Sequence, residues 1–246
     1  MRTHVAWVVW PLVAVVAAGC ELPPAPTDPV QSRPTFAAAA DPLEGRIVFT
    51  ANPTGTNGPG EIYAINPDGS AVVNLTQTTR DEALGVLQRK GDKILFVRGD
   101  LVLGSYDLWV MNHDGTNQVQ LTNTPGVAEL DPQWSESGGR IVYSWHDGTD
   151  FEIVTARADG SNPVVLTNNA VGDRQPDWSS DGKRIVFSRL VAGAGDVFVM
   201  NADGTGEINL TNHPAFDRHP TAARSCSSPI GQVVPTSMSC ERMVAA

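Results

Sequence analysis

Apolar residues along most of this chain fall in short runs rich in Ile, Val and aromatic residues, bounded by Gly, Asp, Asn and Pro. Such runs read as β-strands. One run returns four times, at 62–70, 108–116, 153–161 and 197–205. Each copy contains Asp-Gly, starting at 68, 114, 159 and 203, so the spacings are 46, 45 and 44 residues. Leu-Thr follows each at 75–76, 121–122, 166–167 and 210–211. A basic residue and an apolar triplet precede each: Arg46-Ile47-Val48-Phe49, Lys93-Ile94-Leu95-Phe96, Arg140-Ile141-Val142-Tyr143 and Arg184-Ile185-Val186-Phe187. Before the last two stand Pro132-Gln133-Trp134-Ser135 and Pro176-Asp177-Trp178-Ser179, with Gly85-Val86-Leu87-Gln88 as a weaker copy before the second.

Each unit therefore holds four strands, A to D, and Asp-Gly supplies the positive φ of a tight hairpin between C and D. Four strands per repeat of this length predict an all-β chain, a β-propeller of about four four-stranded blades. A parallel array would need helical patterns between strands, and none is present. An immunoglobulin-like sandwich would not repeat one motif four times. Trp134 and Trp178 recur in the inner strand and are expected in the core. Gly 23 and Pro 18 fit a turn-rich chain and argue against a helical bundle.

The repeated blocks resemble the repeats of the TolB-type propeller: Pro-x-Trp-Ser, Ile-Val-Phe, an acid before Ile-Tyr or Val-Phe, Asn-x-Asp-Gly and Leu-Thr. The resemblance covers residues 45–222. It implies a β-propeller and a role in the cell envelope. TolB itself has an α/β domain before a six-bladed propeller and is soluble in the periplasm, whereas here four units follow a short leader.

The first unit lacks strand A. After the fourth D strand, Asp217-Arg218-His219-Pro220 matches Asp173-Arg174-Gln175-Pro176, with Ala222 in the place of Trp178. This run is expected to supply the missing strand and close the ring. The rival arrangement is an open arc.

The N-terminus carries an address. Fourteen uncharged residues, 5–18, follow a short basic start, and the stretch ends Ala17-Ala18-Gly19-Cys20. It is too short to span a bilayer and has the length of a signal peptide. Small residues directly before a cysteine resemble the lipobox of bacterial lipoproteins. That resemblance implies cleavage before Cys20 and its acylation, and Glu21 then leans towards the periplasmic face of the outer membrane. The organisation is read as signal peptide 1–19, Pro/Ala-rich tether 20–44, propeller 45–222 and irregular tail 223–246. Cys226 and Cys240 either form one disulfide, as an exported chain permits, or remain free thiols.

Charge and motifs narrow the chemistry. A net charge of −10 with no basic run argues against nucleic-acid binding. No serine-hydrolase elbow, zinc spacing or phosphate loop occurs, so no catalytic residue, cofactor or metal site is assigned. Asn-x-Asp-Gly is read as a turn rather than a calcium loop, which needs six to eight oxygens. Acids recur before strand C (Glu61, Asp107, Glu152, Asp196) and at the D-to-A connection (Glu82, Glu129, Asp173, Asp217). They either hold local turns or form an acidic mouth around the axis. The candidate binding face comprises Trp145, His146, Arg98, Arg174, Arg218 and His219 with Glu82, Glu129, Asp173 and Asp217.

The expected function is binding without catalysis, by a lipid-anchored propeller that docks an envelope protein, peptide or cell-wall component on one face. The alternative is a propeller-type polysaccharide lyase or other carbohydrate-active enzyme. Replacing Cys20 by Ala is expected to release the protein from the membrane fraction or block its processing. Unchanged fractionation, with a mature chain that does not begin at residue 20, contradicts the anchor.

Overall fold

The computed structural model describes residues 46–222, apart from 54–57, 90–91, 101–102, 147, 192–193 and 213–216, together with Val233–Val234. The signal peptide, Cys20, the tether, Cys226 and Cys240 lie outside the described residues. Among the described residues every regular element is a strand.

The first blade has three strands, β1 (Ile47–Ala51), β2 (Glu61–Ile65) and β3 (Val73–Asn74). The second holds β4 (Asp81–Leu87), β5 (Lys93–Asp100), β6 (Ser105–Asn112) and β7 (Val119–Gln120). The third holds β8 (Glu129–Trp134), β9 (Arg140–His146), β10 (Phe151–Arg157) and β11 (Val164–Val165). The fourth holds β12 (Asp173–Trp178), β13 (Arg184–Val191), β14 (Ala194–Asn201) and β15 (Ile208–Asn209). Each is an antiparallel meander in chain order. The all-β blade architecture read from the repeat is the architecture found.

The repeated residues each do one repeated job. In the hairpin between the third and fourth strands, the Gly N–H bonds back to the residue three before it at 2.9 Å in all four blades. Asp68, Asp114, Asp159 and Asp203 accept the N–H of the residue two further on at 2.9–3.0 Å, which holds the turn. The Leu N–H of each Leu-Thr pair continues the ladder at 2.8 Å. The Thr hydroxyl then ends it: Thr76, Thr122, Thr167 and Thr211 accept the N–H of Ile62, Leu108, Ile153 and Val197 at 2.8–3.0 Å. Side-chain oxygen thus replaces backbone oxygen, and the fourth strand can be short.

Packing joins the blades. Ile62 and Leu75 meet Phe96 and Met111 between blades one and two. Leu95 and Leu108 meet Trp134 and Tyr143 between two and three. Val142 and Ile153 meet Trp178 and Phe187 between three and four. Trp134 and Trp178 are core residues, and Trp134 Nε1 donates to Val86 O of the preceding blade at 3.1 Å.

The turns interlock as well. A Cβ at Gly115 would lie 2.6 Å from Leu75 O, one at Gly160 2.6 Å from Leu121 O, and one at Gly204 3.0 Å from Leu166 O. The hairpins of blades two, three and four therefore each rest on the end of the last strand of the blade before.

Closure through 217–222 is corrected. Within that run β16 (Thr221–Ala222) pairs with β17 (Val233–Val234), and among the described residues β1 is hydrogen-bonded to β2 alone. Ala222 packs on Val186 and Val199 of blade four, and because its strand pairs with β17 and not with β1, the segment begins a fifth position next to blade four. The reason is local: stacking on the adjacent blade buries this strand without bending the arc. The described chain is an arc of four blades.

Gly69 and Gly115 have nearly the same φ, 81° and 82°, but only Gly115 is covered; nothing lies within 4 Å of a Cβ at Gly69. Both Ala substitutions incur left-handed strain. Gly115→Ala is expected to cost about 1–3 kcal/mol more than Gly69→Ala in chemical unfolding. Equal losses contradict the interlock.

Candidate functional site

The inner strands of blades two to four each contain a bulge. The pairing register shifts between Ala83 and Val86, Leu130 and Gln133, and Arg174 and Asp177. The bulged residue has positive φ: 55° at Leu84, 52° at Asp131 and 56° at Gln175. His219, before Thr221–Ala222, has 53°. Pro132, Pro176 and Pro220 follow three of them, and a proline has no N–H for the ladder. A left-handed conformation in a non-glycine residue costs roughly 1–3 kcal/mol, and such strain concentrates at functional positions.

These four residues surround one cavity of about 670 Å³ on the axis, lined also by Val86, Gln133, Asp177 and Thr221. A polar chain runs along its wall. Ser144 Oγ donates to Asp131 Oδ2 at 3.1 Å, and the Gln175 N–H donates to Ser144 Oγ at 3.2 Å. The His219 N–H donates to Gln175 Oε1 at 3.0 Å, and the side-chain Nε2 atoms of Gln175 and His219 lie 3.1 Å apart. Arg174 Nη2 stands 3.3 Å from Asp131 Oδ2, with its guanidinium 4.3 Å above the Phe151 ring. Leu84 provides an apolar wall opposite this polar arc. The site can offer hydrogen bonds and an apolar contact to one ligand. Among the described residues no group of three His, Cys, Asp or Glu side chains is placed to hold a metal ion.

The expected binding-face residues separate into two sets. Glu82, Glu129 and Asp173 are buried and form no acidic mouth. Each points into its blade and is held by a residue shortly before it: Glu82 by Thr78, Glu129 by Thr122 and Thr124, and Asp173 by Asn169. Arg98 is also inside, donating to Glu82 at 2.7 Å and lying 4.5 Å above the Trp109 ring. Arg189 takes the same role on Asp173 at 2.6 Å. Trp145 occupies the matching place opposite Glu129 and packs on the core between blades two and three. His146 stacks edge-on against Phe151 at 4.9 Å. Arg218 and His219 are exposed, whereas Asp217 and Arg174 are half-buried. Of these residues His219 lines the axial site, and Arg174 stands behind it on Asp131.

The acids before the third strand are structural too. Glu152 accepts the Asn169 N–H at 2.8 Å, and Asp196 accepts from Asn209 at 2.8 Å. Sequence reading missed Leu84, Asp131 and Gln175. Their signal was a variable residue before Gly or Pro inside an otherwise repeated inner strand.

Because Trp145 replaces an arginine, Glu129 is buried without a cation beside it. Burial pushes its carboxyl above the ordinary range, Asp107 adds to this, and the Thr122 and Thr124 hydroxyls pull it back only in part. A raised folded pKa means that stability is fully present below the unfolded pKa and is lost as pH rises through the folded one. Glu129→Gln is therefore expected to unfold at a higher temperature than the parent at pH 7, with the gap shrinking as pH falls through the carboxylate range. A gap that does not change with pH contradicts this burial.

Residues 99–228, more than half of the chain, match the TolB beta propeller domain family. No curated protein is recognisably related by sequence. Among solved structures, TolB from Acinetobacter baumannii superposes with a TM-score of 0.61 at 20% identity, covering 72% of this chain and 43% of TolB. A TolB-type protein from Agrobacterium tumefaciens gives 0.54 at 21% identity, covering 63% and 57%. An oligogalacturonate lyase in complex with manganese gives 0.53 at 17% identity, covering 65% and 47%. The chain thus spans about half the length of these proteins. The blade repeat, the propeller architecture and the family match agree, and the chain belongs to the TolB β-propeller domain family.

Proposed function

We propose that this chain is a non-catalytic binding propeller of the bacterial cell envelope, which docks a protein, peptide or cell-wall component over the axial cavity. One observation carries the reading. The left-handed backbone position is the same in four successive inner segments, yet its side chain is Leu84, Asp131, Gln175 or His219. Residues that hold the blades repeat, whereas residues that read a partner need not. The envelope assignment is supported by the likeness to TolB and by the lipobox-like run ending at Cys20, with attachment through the N-terminal lipid alone. A second reading, carbohydrate chemistry, is favoured by the likeness to a manganese-bound lyase and by the Gln175–His219 pair at the cavity.

The test is a photo-reactive amino acid placed at Leu84, and at Val164 as an exposed control on an outer strand. Irradiation of intact cells is expected to give a discrete envelope adduct from position 84 that is absent from 164. The joint change Asp131→Ala and His219→Ala is expected to reduce it by about tenfold, the effect of losing roughly 1.4 kcal/mol. Identical adducts from both positions, or none from 84, contradict the reading.

A further inference from the structure

The two ends of the arc are complementary halves of one interface. At the first end, Ile47 is 53% exposed, whereas its counterparts Ile94, Ile141 and Ile185 are 1%, 0% and 0% exposed. Phe49 stacks on Tyr63 at 5.6 Å, and both are only half-buried, while the corresponding Phe96 and Phe187 are fully covered. The Gly69 turn meets no carbonyl, unlike Gly115, Gly160 and Gly204. One edge of β1 has no strand beside it among the described residues. Ile47–Ala51 carries no charge, proline or bulge, the devices that normally protect an edge.

The other end presents what the first lacks. Leu210 is 44% exposed, against 6% for Leu75, which the next blade covers. β16 is already seated as an inner strand, with the Ala222 N–H donating to Asp177 Oδ2 at 3.2 Å and its side chain on Val186 and Val199. Its partner β17 supplies only two residue pairs, where β1 has five residues to offer.

We propose that a second copy of this chain occupies the open end, head to tail. β1 of one copy displaces the two-residue β17 and pairs with β16 of the next, and the Gly69 hairpin rests on Leu210 of that copy. The contact repeats, between molecules, the interface that joins blades within one molecule three times over. By the registers Trp178–Ile185 and Asp177–Val186, Ala222 then faces Ile47 and Thr221 faces Val48 of the partner copy. β1, β2 and β3 gain a fourth strand, and the exposed Ile47 is covered. Heterologous contacts of this kind close into a ring or continue as a chain. Two four-bladed chains give eight blades, within the range of roughly four to eight that propellers adopt.

The full-length chain in detergent is expected to sediment as a dimer or larger species, and Ile47→Lys is expected to return it to a single chain that keeps the parent's β circular-dichroism spectrum and has a melting temperature independent of concentration. Mixing Val48→Cys chains with Thr221→Cys chains under oxidation should give a 48–221 disulfide at twice the chain mass, identified by peptide mass. A 48–48 bridge from Val48→Cys alone means symmetric edge pairing and overturns the proposal. So does a 48–221 bridge within one chain carrying both changes. Sedimentation of the unmodified chain as a monomer at all concentrations overturns it as well.

Discussion

A sheet of four short strands has two apolar faces, and neither the sheet nor its turns can cover them. Everything else in this molecule follows from that constraint. Only another blade offers a matching surface, so the repeat stacks, and the clusters of Ile62, Trp134 and Trp178 with their neighbours are each shared between two blades. The Asp-Gly turns do more than reverse the chain. A residue with a Cβ at Gly115 or Gly160 would strike the carbonyl of the preceding Leu, so the glycine permits both the positive φ and the close approach. The same rule leaves a cost at the ends, where Ile47 is 53% exposed.

Within this frame the polar residues take two roles. Buried acids such as Glu82 and Asp173 tie each D-to-A connection to its own blade, and Arg98 and Arg189 neutralise them. They hold the strands whose bulges open the axis. Asp131, Gln175 and His219 line the cavity and differ from blade to blade, which is why the proposed docking site is placed there. Glu129 stands between the two roles. It keeps the structural place but has lost its arginine to Trp145, and its carboxyl is held by two threonines.

Most of the fold was legible because it is written four times. Asp-Gly at 68, 114, 159 and 203 marked the hairpins, and Trp134 and Trp178 marked the inner strands. The acids were visible as a series, yet exposure and burial both fitted a carboxylate before a strand. The deciding signal was the Thr or Asn four or five residues earlier, as in Thr78 before Glu82 and Asn169 before Asp173. The bulges were half-written: proline inside an inner strand signals an interrupted ladder but not which side chain turns to the axis. Closure was not legible. Residues 217–222 have the pattern of an inner strand, but which B strand they meet depends on the curvature of the whole arc.

Hydrogen exchange along the four B strands tests the central claim, that stacking between blades ends at β1. At high dilution, the amides of β1 that point away from β2 are predicted to exchange much faster than their counterparts in β5, β9 and β13. Their protection is predicted to rise with protein concentration as a second copy covers the edge. Protection in β1 equal to that of the other three strands, at every concentration, would contradict the account.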